Sequence, residues 1–269
     1  MDLLERHDLR PRKSLGQHFV VDPNTVRRVA RLAGVGPGDR VVEIGAGVGS
    51  LTLALADTGA DVTAIEIDRH VVPALREVVD TRGVTVVEGD ARGLDWDTLL
   101  GEHRWQLVAN LPYNVATPLV LDLLEEAPQI EGMLVMVQEE VGERLAAQPG
   151  DDAYGAVSAK VAYWATAKVA GRVPPTVFLP QPNVDSALVS IVRRRGALVV
   201  NEQTRPQLFH LIERGFATRR KMLRRALAGE VSPGAFAAAG IRPEARAEEL
   251  SIDDWARLVV ACSNEPSPS

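Results

Sequence analysis

Cysteine is nearly absent from this chain. Its one thiol, Cys262, lies close to the polar end of 269 residues. A lone thiol excludes an internal disulfide and gives no sign of a cysteine-based metal site, so no metal is expected. Long apolar runs are missing too, and no stretch is long enough to span a bilayer. The charged opening, Met1 to Lys13, has no apolar core of the signal-peptide kind, so a cytoplasmic location without a membrane partner is expected. Internal repeats and low-complexity tracts are absent. There is no net positive charge: the formal value is -6, which for a uniform charge would argue against a nucleic-acid partner. The charge is not uniform. Residues 1 to 31 carry seven Arg/Lys against four Asp/Glu, and residues 170 to 225 carry eleven against three, a total of +11 that leaves -17 elsewhere. Phosphate contacts are local, so a basic arm and a basic segment on an acidic body suit a backbone-tracking surface. Charge runs also form plain solvated faces, the reading that suits Arg193-Arg194-Arg195 at a strand end.

What is present is an alternation of short β-branched runs with apolar-periodic segments. Asp22-Pro23 caps and starts a helix. Strands are expected near 40 to 44, 61 to 66, 84 to 88, 105 to 109, 131 to 137, 163 to 170 and 186 to 193, with helices between most of them. The last two strands flank a proline-bearing loop, 174 to 185, and predict an antiparallel, hairpin-like close of the sheet. Beyond Gly196 the pattern is wholly helical, over 205 to 215, 219 to 228, 232 to 239 and 252 to 261. The expected division is therefore an arm and first helix (1–30), an α/β domain (31–196), a small all-helical domain (197–262) and a disordered tail (263–269).

Arg40-Val-Val-Glu-Ile-Gly-Ala-Gly-Val-Gly49 ends a β-branched run in Glu43 and then places glycines at 45, 47 and 49 before the apolar segment 50 to 57. A dinucleotide loop is usually Gly-x-Gly-x-x-Gly, aimed at a pyrophosphate. An acid followed by Gly-x-Gly-x-Gly instead resembles the first motif of class I S-adenosylmethionine methyltransferases. Acids recur at the next strand ends, Glu66 and Asp68, then Glu88 and Asp90. In an open parallel sheet these converge on the crevice beyond the strands, where Glu66 suits ribose hydroxyls and Asp90 an adenine amino group. Acids in such loops are also ordinary caps. At the end of 105 to 109 stands Asn110-Leu111-Pro112-Tyr113. The Asn110 side-chain oxygen and the Leu111 carbonyl suit an exocyclic NH2, and Tyr113 suits a stacked base. A strand that simply ends in a proline turn is the plainer reading of those four residues.

Together with Arg12-Lys13-Ser14-Leu15-Gly16-Gln17-His18-Phe19, the loop Phe178-Leu-Pro-Gln-Pro-Asn-Val-Asp-Ser186, Phe216-Ala-Thr-Arg-Arg-Lys221 and Arg246-Ala-Glu-Glu-Leu250, these motifs make nearly the whole chain resemble the small-subunit (16S) ribosomal RNA adenine N6,N6-dimethyltransferase family. That resemblance implies a Rossmann-like class I methyltransferase fold, a mostly parallel sheet with an antiparallel closing strand, plus a C-terminal helical domain. It implies S-adenosylmethionine as methyl donor, held by His18, Val20, Gly45, Glu66, Asp90 and Asn110. Asn110, Leu111, Tyr113 and Phe178 would form the catalytic grip, Phe178 clamping the base opposite Tyr113. Arg12, Lys13, Arg219, Arg220, Lys221, Arg224 and Arg225, with Arg10, would hold rRNA phosphates. His18 departs from the family, where asparagine is usual. The expected partner is 16S rRNA in the small subunit or its precursor, with no protein partner and a monomeric enzyme. Other readings are a macrolide-resistance type methyltransferase of large-subunit (23S) rRNA, a DNA adenine methyltransferase, and a non-catalytic ribosome assembly factor. The Phe178 loop and the basic segment at 219 to 221 count against the first; the second lacks a segment long enough for a sequence-reading domain.

Overall fold

The computed structural model describes residues 6, 7, 9, 17–195, 200 and 202–264. It separates into two compact units, residues 1–143 with 167–193 and residues 144–166 with 194–269. The second unit thus begins well before the expected boundary at 197. The reason lies in the helix Ala156–Trp164, whose buried faces join the helical core and not the sheet. The strand expected from 163 starts only at Ala165, because Tyr163 and Trp164 still belong to that helix.

The first unit is a seven-stranded sheet. Its strands are β2 (Arg40–Ile44), β3 (Asp61–Glu66), β4 (Thr85–Glu88), β5 (Trp105–Asn110), β6 (Ile130–Gln138), β7 (Ala165–Val173) and β9 (Ser186–Arg193), in the order β4-β3-β2-β5-β6-β9-β7. All pairings from β4 to β6 are parallel, and β9 runs antiparallel to β6, from Gly132↔Val192 to Gln138↔Ser186. The central strands read as near-continuous apolar runs because both their faces are covered: Val41, Val42, Ala64, Leu107 and Val108 are all essentially inaccessible. One covering helix, α1 (Pro23–Ala33), is capped by Asp22, which accepts from the Asn24 and Thr25 amides, and ends at Gly34 in the left-handed conformation. It packs Val26, Val29 and Ala30 with Leu51 and Leu55 of α2 (Ser50–Ala56) against Val41, Val62 and Val108.

A separate two-stranded ribbon joins β1 (Phe19–Val20) to β8 (Phe178–Leu179), pairing Phe19 with Leu179 and Val20 with Phe178. At the far end of β9, Arg193 is not a solvated charge. Its guanidinium donates to the carbonyls of Ile130 (2.8 Å), Leu124 (2.8 Å), Leu123 (3.1 Å) and Ala127 (2.9 Å). It thereby gathers the carbonyls at the C-terminus of the helix Ala116–Glu126 and the start of β6, where a cation also meets the negative end of the helix dipole.

The second unit is helical, with α8 (Arg205–Ala217), α10 (Pro233–Ala239) and α11 (Ile252–Ser263) around Leu208, Leu211, Phe236, Trp255 and Leu258. Gly215 is required where α8 crosses Trp255, since a Cβ there would lie 2.5 Å from the indole. The helix expected over 219 to 228 shrinks to α9 (Leu223–Ala226); Thr218 to Lys221 form a turn after α8. Ser263 closes α11 and is no part of a tail, while residues 265–269 lie outside the described residues. Among the described residues no helix is long and apolar enough to cross a membrane, and no group of acids, histidines and cysteine is placed to hold a metal ion.

Candidate functional site

The strand order reverses direction at β2, with β3 on one side and β5 on the other, and the crevice beyond the carboxyl ends of these three strands is where such sheets bind ligands. His18, Val20, Gly45, Glu66, Asn110, Leu111 and Tyr113 all line one cleft there, joined by Glu43, Gln17 and Gly47. Seven of the expected site residues are thus brought together by three strand ends and the segment entering β1.

The glycine loop explains why this is not a phosphate site. Its amides point back into the sheet: Gly45 and Ala46 donate to the Ile65 carbonyl at 2.9 and 3.2 Å, and Gly47 donates to Glu66 Oε2 at 2.7 Å. The backbone adopts positive φ at Gly47, and a Cβ there would sit 2.9 Å from the Phe19 ring, so no other residue fits. Among the described residues no lysine or arginine lines the cleft. An anionic pyrophosphate would meet engaged amides and buried acids.

Glu66 is 4% exposed, with Oε1 accepting from the Asp68 amide at 2.8 Å and Oε2 from Gly47. Burial raises its pKa despite these bonds, because desolvation is the larger effect. Gln17 donates to Asp68 Oδ2 at 3.1 Å, linking the entering segment to the end of β3. The cleft is therefore acid-lined, with no lysine or arginine among its described lining residues, and that donor set fits a sulfonium ligand such as S-adenosylmethionine.

The grip is built on β5. Asn110 Nδ2 donates to the His18 carbonyl at 2.8 Å, which fixes the amide so that Oδ1 is left as the acceptor. The Leu111 amide donates to the Met136 carbonyl at 3.0 Å, holding that peptide in place, and the Tyr113 hydroxyl shares a 2.8 Å hydrogen bond with the buried Ser186 Oγ. The His18 ring stacks on Tyr113 with centroids 5.2 Å apart and planes 25° apart. Its Nδ1 lies 2.7 Å from the Pro180 carbonyl, an acceptor only, so Nδ1 carries the proton. Histidine in place of the family's usual asparagine thus contributes its backbone carbonyl to Asn110 and its ring to Tyr113.

Two expected residues stand elsewhere. Phe178 is no presented ring: it is 3% exposed, packed with Val20, Val26, Val173 and Leu188, because pairing of β8 with β1 turns it into the core. Asp90, at the end of β4, is exposed outside the cleft lining and caps a short turn by accepting from the Arg92 amide. Arg10, Arg12 and Lys13 fall outside the described residues.

The basic segment belongs to the helical unit, and its charges are unequal. Arg219 pairs with Glu248 at 2.7 Å and donates to the Asp152 carbonyl, and Arg224 lies 3.7 Å from Glu244. Among the described residues Arg220, Lys221 and Arg225 are exposed without an acidic partner. The pairing of Arg219 with Glu248 had no signal in sequence, nor had the anchoring of Tyr113 by Ser186. Glu43 was visible as the acid before the glycines, but not its burial.

Comparison with known proteins shows the family. The family described as "Ribosomal RNA adenine dimethylase" matches residues 9–263. A protein of Cutibacterium acnes named "Ribosomal RNA small subunit methyltransferase A" is 51% identical over 268 residues, covering 94% of this chain and 89% of the relative. One of the same name from Kineococcus radiotolerans is 48% identical, covering 96% and 88%. In fold the chain is similar to a dimethyladenosine transferase from Plasmodium falciparum (TM-score 0.75, 22% identity, 90% of this chain and 96% of that one). It is similar also to the 23S rRNA methyltransferase ErmE (TM-score 0.72, 24% identity, 91% and 100%). The chain belongs to the ribosomal RNA adenine dimethylase family.

Proposed function

We propose that this enzyme transfers methyl groups from S-adenosylmethionine to N6 of two adjacent adenines in the hairpin loop near the 3′ end of 16S rRNA, giving N6,N6-dimethyladenosine. Relatives near 50% identity named for the small subunit support that substrate over the large subunit, and the likeness to a 23S enzyme is one of fold. The observation that carries the catalytic reading is the orientation of Asn110: its Nδ2 is held by the His18 carbonyl, so Oδ1 faces the task of accepting.

The donor, when bound, supplies a methyl group activated by a sulfonium. The residues then have to align and sharpen a poor nucleophile, since the lone pair of an adenine amine is delocalised into the ring. Hydrogen bonds accepted by Asn110 Oδ1 and the Leu111 carbonyl favour a tetrahedral nitrogen, and they strengthen as positive charge develops there. Alignment in a dry cleft contributes the rest. Tyr113 offers stacking to the base, with its hydroxyl anchored on Ser186 and one face already taken by His18. A clamp from Phe178 would require that ring to leave the core. Gly45, Glu66, Val20 and the His18 backbone are proposed to hold the donor, with Asp90 reaching it from the next strand end. Arg220, Lys221 and Arg225 are proposed as the phosphate contacts, supplemented by Arg12 and Lys13 from the arm, and Arg219 and Arg224 in a lesser role. A monomer acting in the cytoplasm belongs to the same proposal.

The test is transfer of labelled methyl groups to purified ribosomal particles. Label is expected in unmodified small-subunit particles, and label confined to large-subunit particles would overturn the assignment.

A further inference from the structure

One group in the cleft is left without a role. Glu43 stands one residue before the end of β2, just ahead of the glycine loop; it is 2% exposed and lines the cleft, yet its Oε2 makes no well-formed hydrogen bond. The wholly buried Thr52 hydroxyl approaches this carboxyl as a weak hydrogen-bond partner, short of a well-formed bond, and among the described residues no other side chain hydrogen-bonds to it. A carboxyl oxygen so weakly partnered in an interior is costly unless something completes it.

Its surroundings say what that is. Glu66 on β3 is the charged group that acts on it, and Asp68 stands beyond Glu66. Neither β5 nor α2 contributes a titratable side chain; Tyr113 after β5 lines the cleft, and of the described residues before β1 His18 is the titratable one in the lining, beside the neutral Gln17. The one cation on its own strand, Arg40, is at the opposite end, 3.9 Å from Asp61. Burial, opposed by the Thr52 hydroxyl and reinforced by Glu66, pushes the Glu43 carboxyl up to about 8, so at neutral pH it holds its proton in a cleft where no described residue supplies a lysine or arginine. The methyl donor carries one more positive charge than the thioether product left after transfer.

We propose that Glu43 is a charge sensor for the donor: it gives up its proton to solvent when the sulfonium enters, and recovers it when only the neutral thioether remains, so that the cleft favours donor over spent product. This rests on the donor site described above.

Calorimetry on the full-length protein tests it, with S-adenosylmethionine and S-adenosylhomocysteine titrated separately in phosphate and Tris at pH 7. Donor binding is expected to release close to one proton, read from the dependence of heat on buffer, and product binding clearly less. Between pH 6 and 7 donor affinity should tighten by about tenfold, as linkage to one released proton requires, with product affinity nearly level. Glu43→Gln should abolish the proton release and reduce the donor-over-product preference by about tenfold. Donor binding with no buffer dependence in the unaltered protein, or the same release in Glu43→Gln, would overturn the sensor while leaving the donor site intact. No binding of either ligand would overturn both.

Discussion

The strand-end cleft and the basic turn of the helical unit solve opposite problems. In the cleft the polar groups are buried and tied down: Gly47 to Glu66, Asn110 to His18, Tyr113 to Ser186. The groups not fully tied down, Asn110 Oδ1, the Leu111 carbonyl and the Glu43 carboxyl, are those to which chemistry is assigned. At the turn and the short α9 that follows it the cations are exposed, and the charges that matter are those with no acidic partner among the described residues, Arg220, Lys221 and Arg225. Rigid, desolvated groups give selectivity toward one reacting atom; exposed cations give affinity for a phosphate backbone that any sequence offers.

The comparison is sharpened most by pH. Glu43 is raised from an ordinary 4.5 to about 8, so the folded state holds a proton that the unfolded state has lost. Its contribution to stability is fully present below about 4.5 and is lost as pH rises through about 8, an effect on the order of several kcal/mol for a shift of this size. Glu66 acts in the same direction. Chemical denaturation of the ligand-free protein should show stability falling between pH 5 and 8.5, and Glu43→Gln should flatten that fall. A flat profile in the unaltered protein would deny the cleft its buried acid.

Next in size is Asn110→Ala, which removes one acceptor and leaves the His18 carbonyl unpaired. Turnover is expected to drop by roughly a hundredfold or more, while the donor Kd moves by only a few-fold. Equal losses in both would make Asn110 a binding group alone.

At the turn, charge reversal of Arg220, Lys221 and Arg225 together should weaken RNA binding by about tenfold or more and lower its salt slope by about two, leaving the calorimetric donor affinity unchanged. The smallest effect belongs to Arg219→Ala. Because Arg219 already faces Glu248, its loss should change RNA binding less than about threefold; a loss as large as that from the triple reversal would erase the distinction between paired and unpaired cations.

Much of this was legible in the chain. The seven main strands follow from β-branched runs, and the cleft from acids and glycines at successive strand ends, because a parallel sheet brings its carboxyl ends to one side. Phe178 was misread, since a ring between prolines looks presented until β8 is seen pairing with β1, a contact spanning more than 150 residues that no local pattern encodes. Arg193 was misread for the same reason: three consecutive arginines look solvated, but helix-end carbonyls brought close by the sheet claim the first. The short α9 arose because Thr218 to Lys221 turn before the helix starts, where composition alone read on through. The acid at 43 was plain, and its isolation was not, for burial depends on every neighbour at once.

The central claim is that this cleft, entered by an adenine of small-subunit rRNA, performs two transfers on each of two neighbouring bases. The direct measurement is mass spectrometry of the 3′ hairpin from unmodified small-subunit particles incubated with the enzyme and S-adenosylmethionine. The account predicts two methyl groups on each of two adjacent adenines. An unmodified hairpin, with dimethyladenosine appearing in large-subunit rRNA instead, would contradict it.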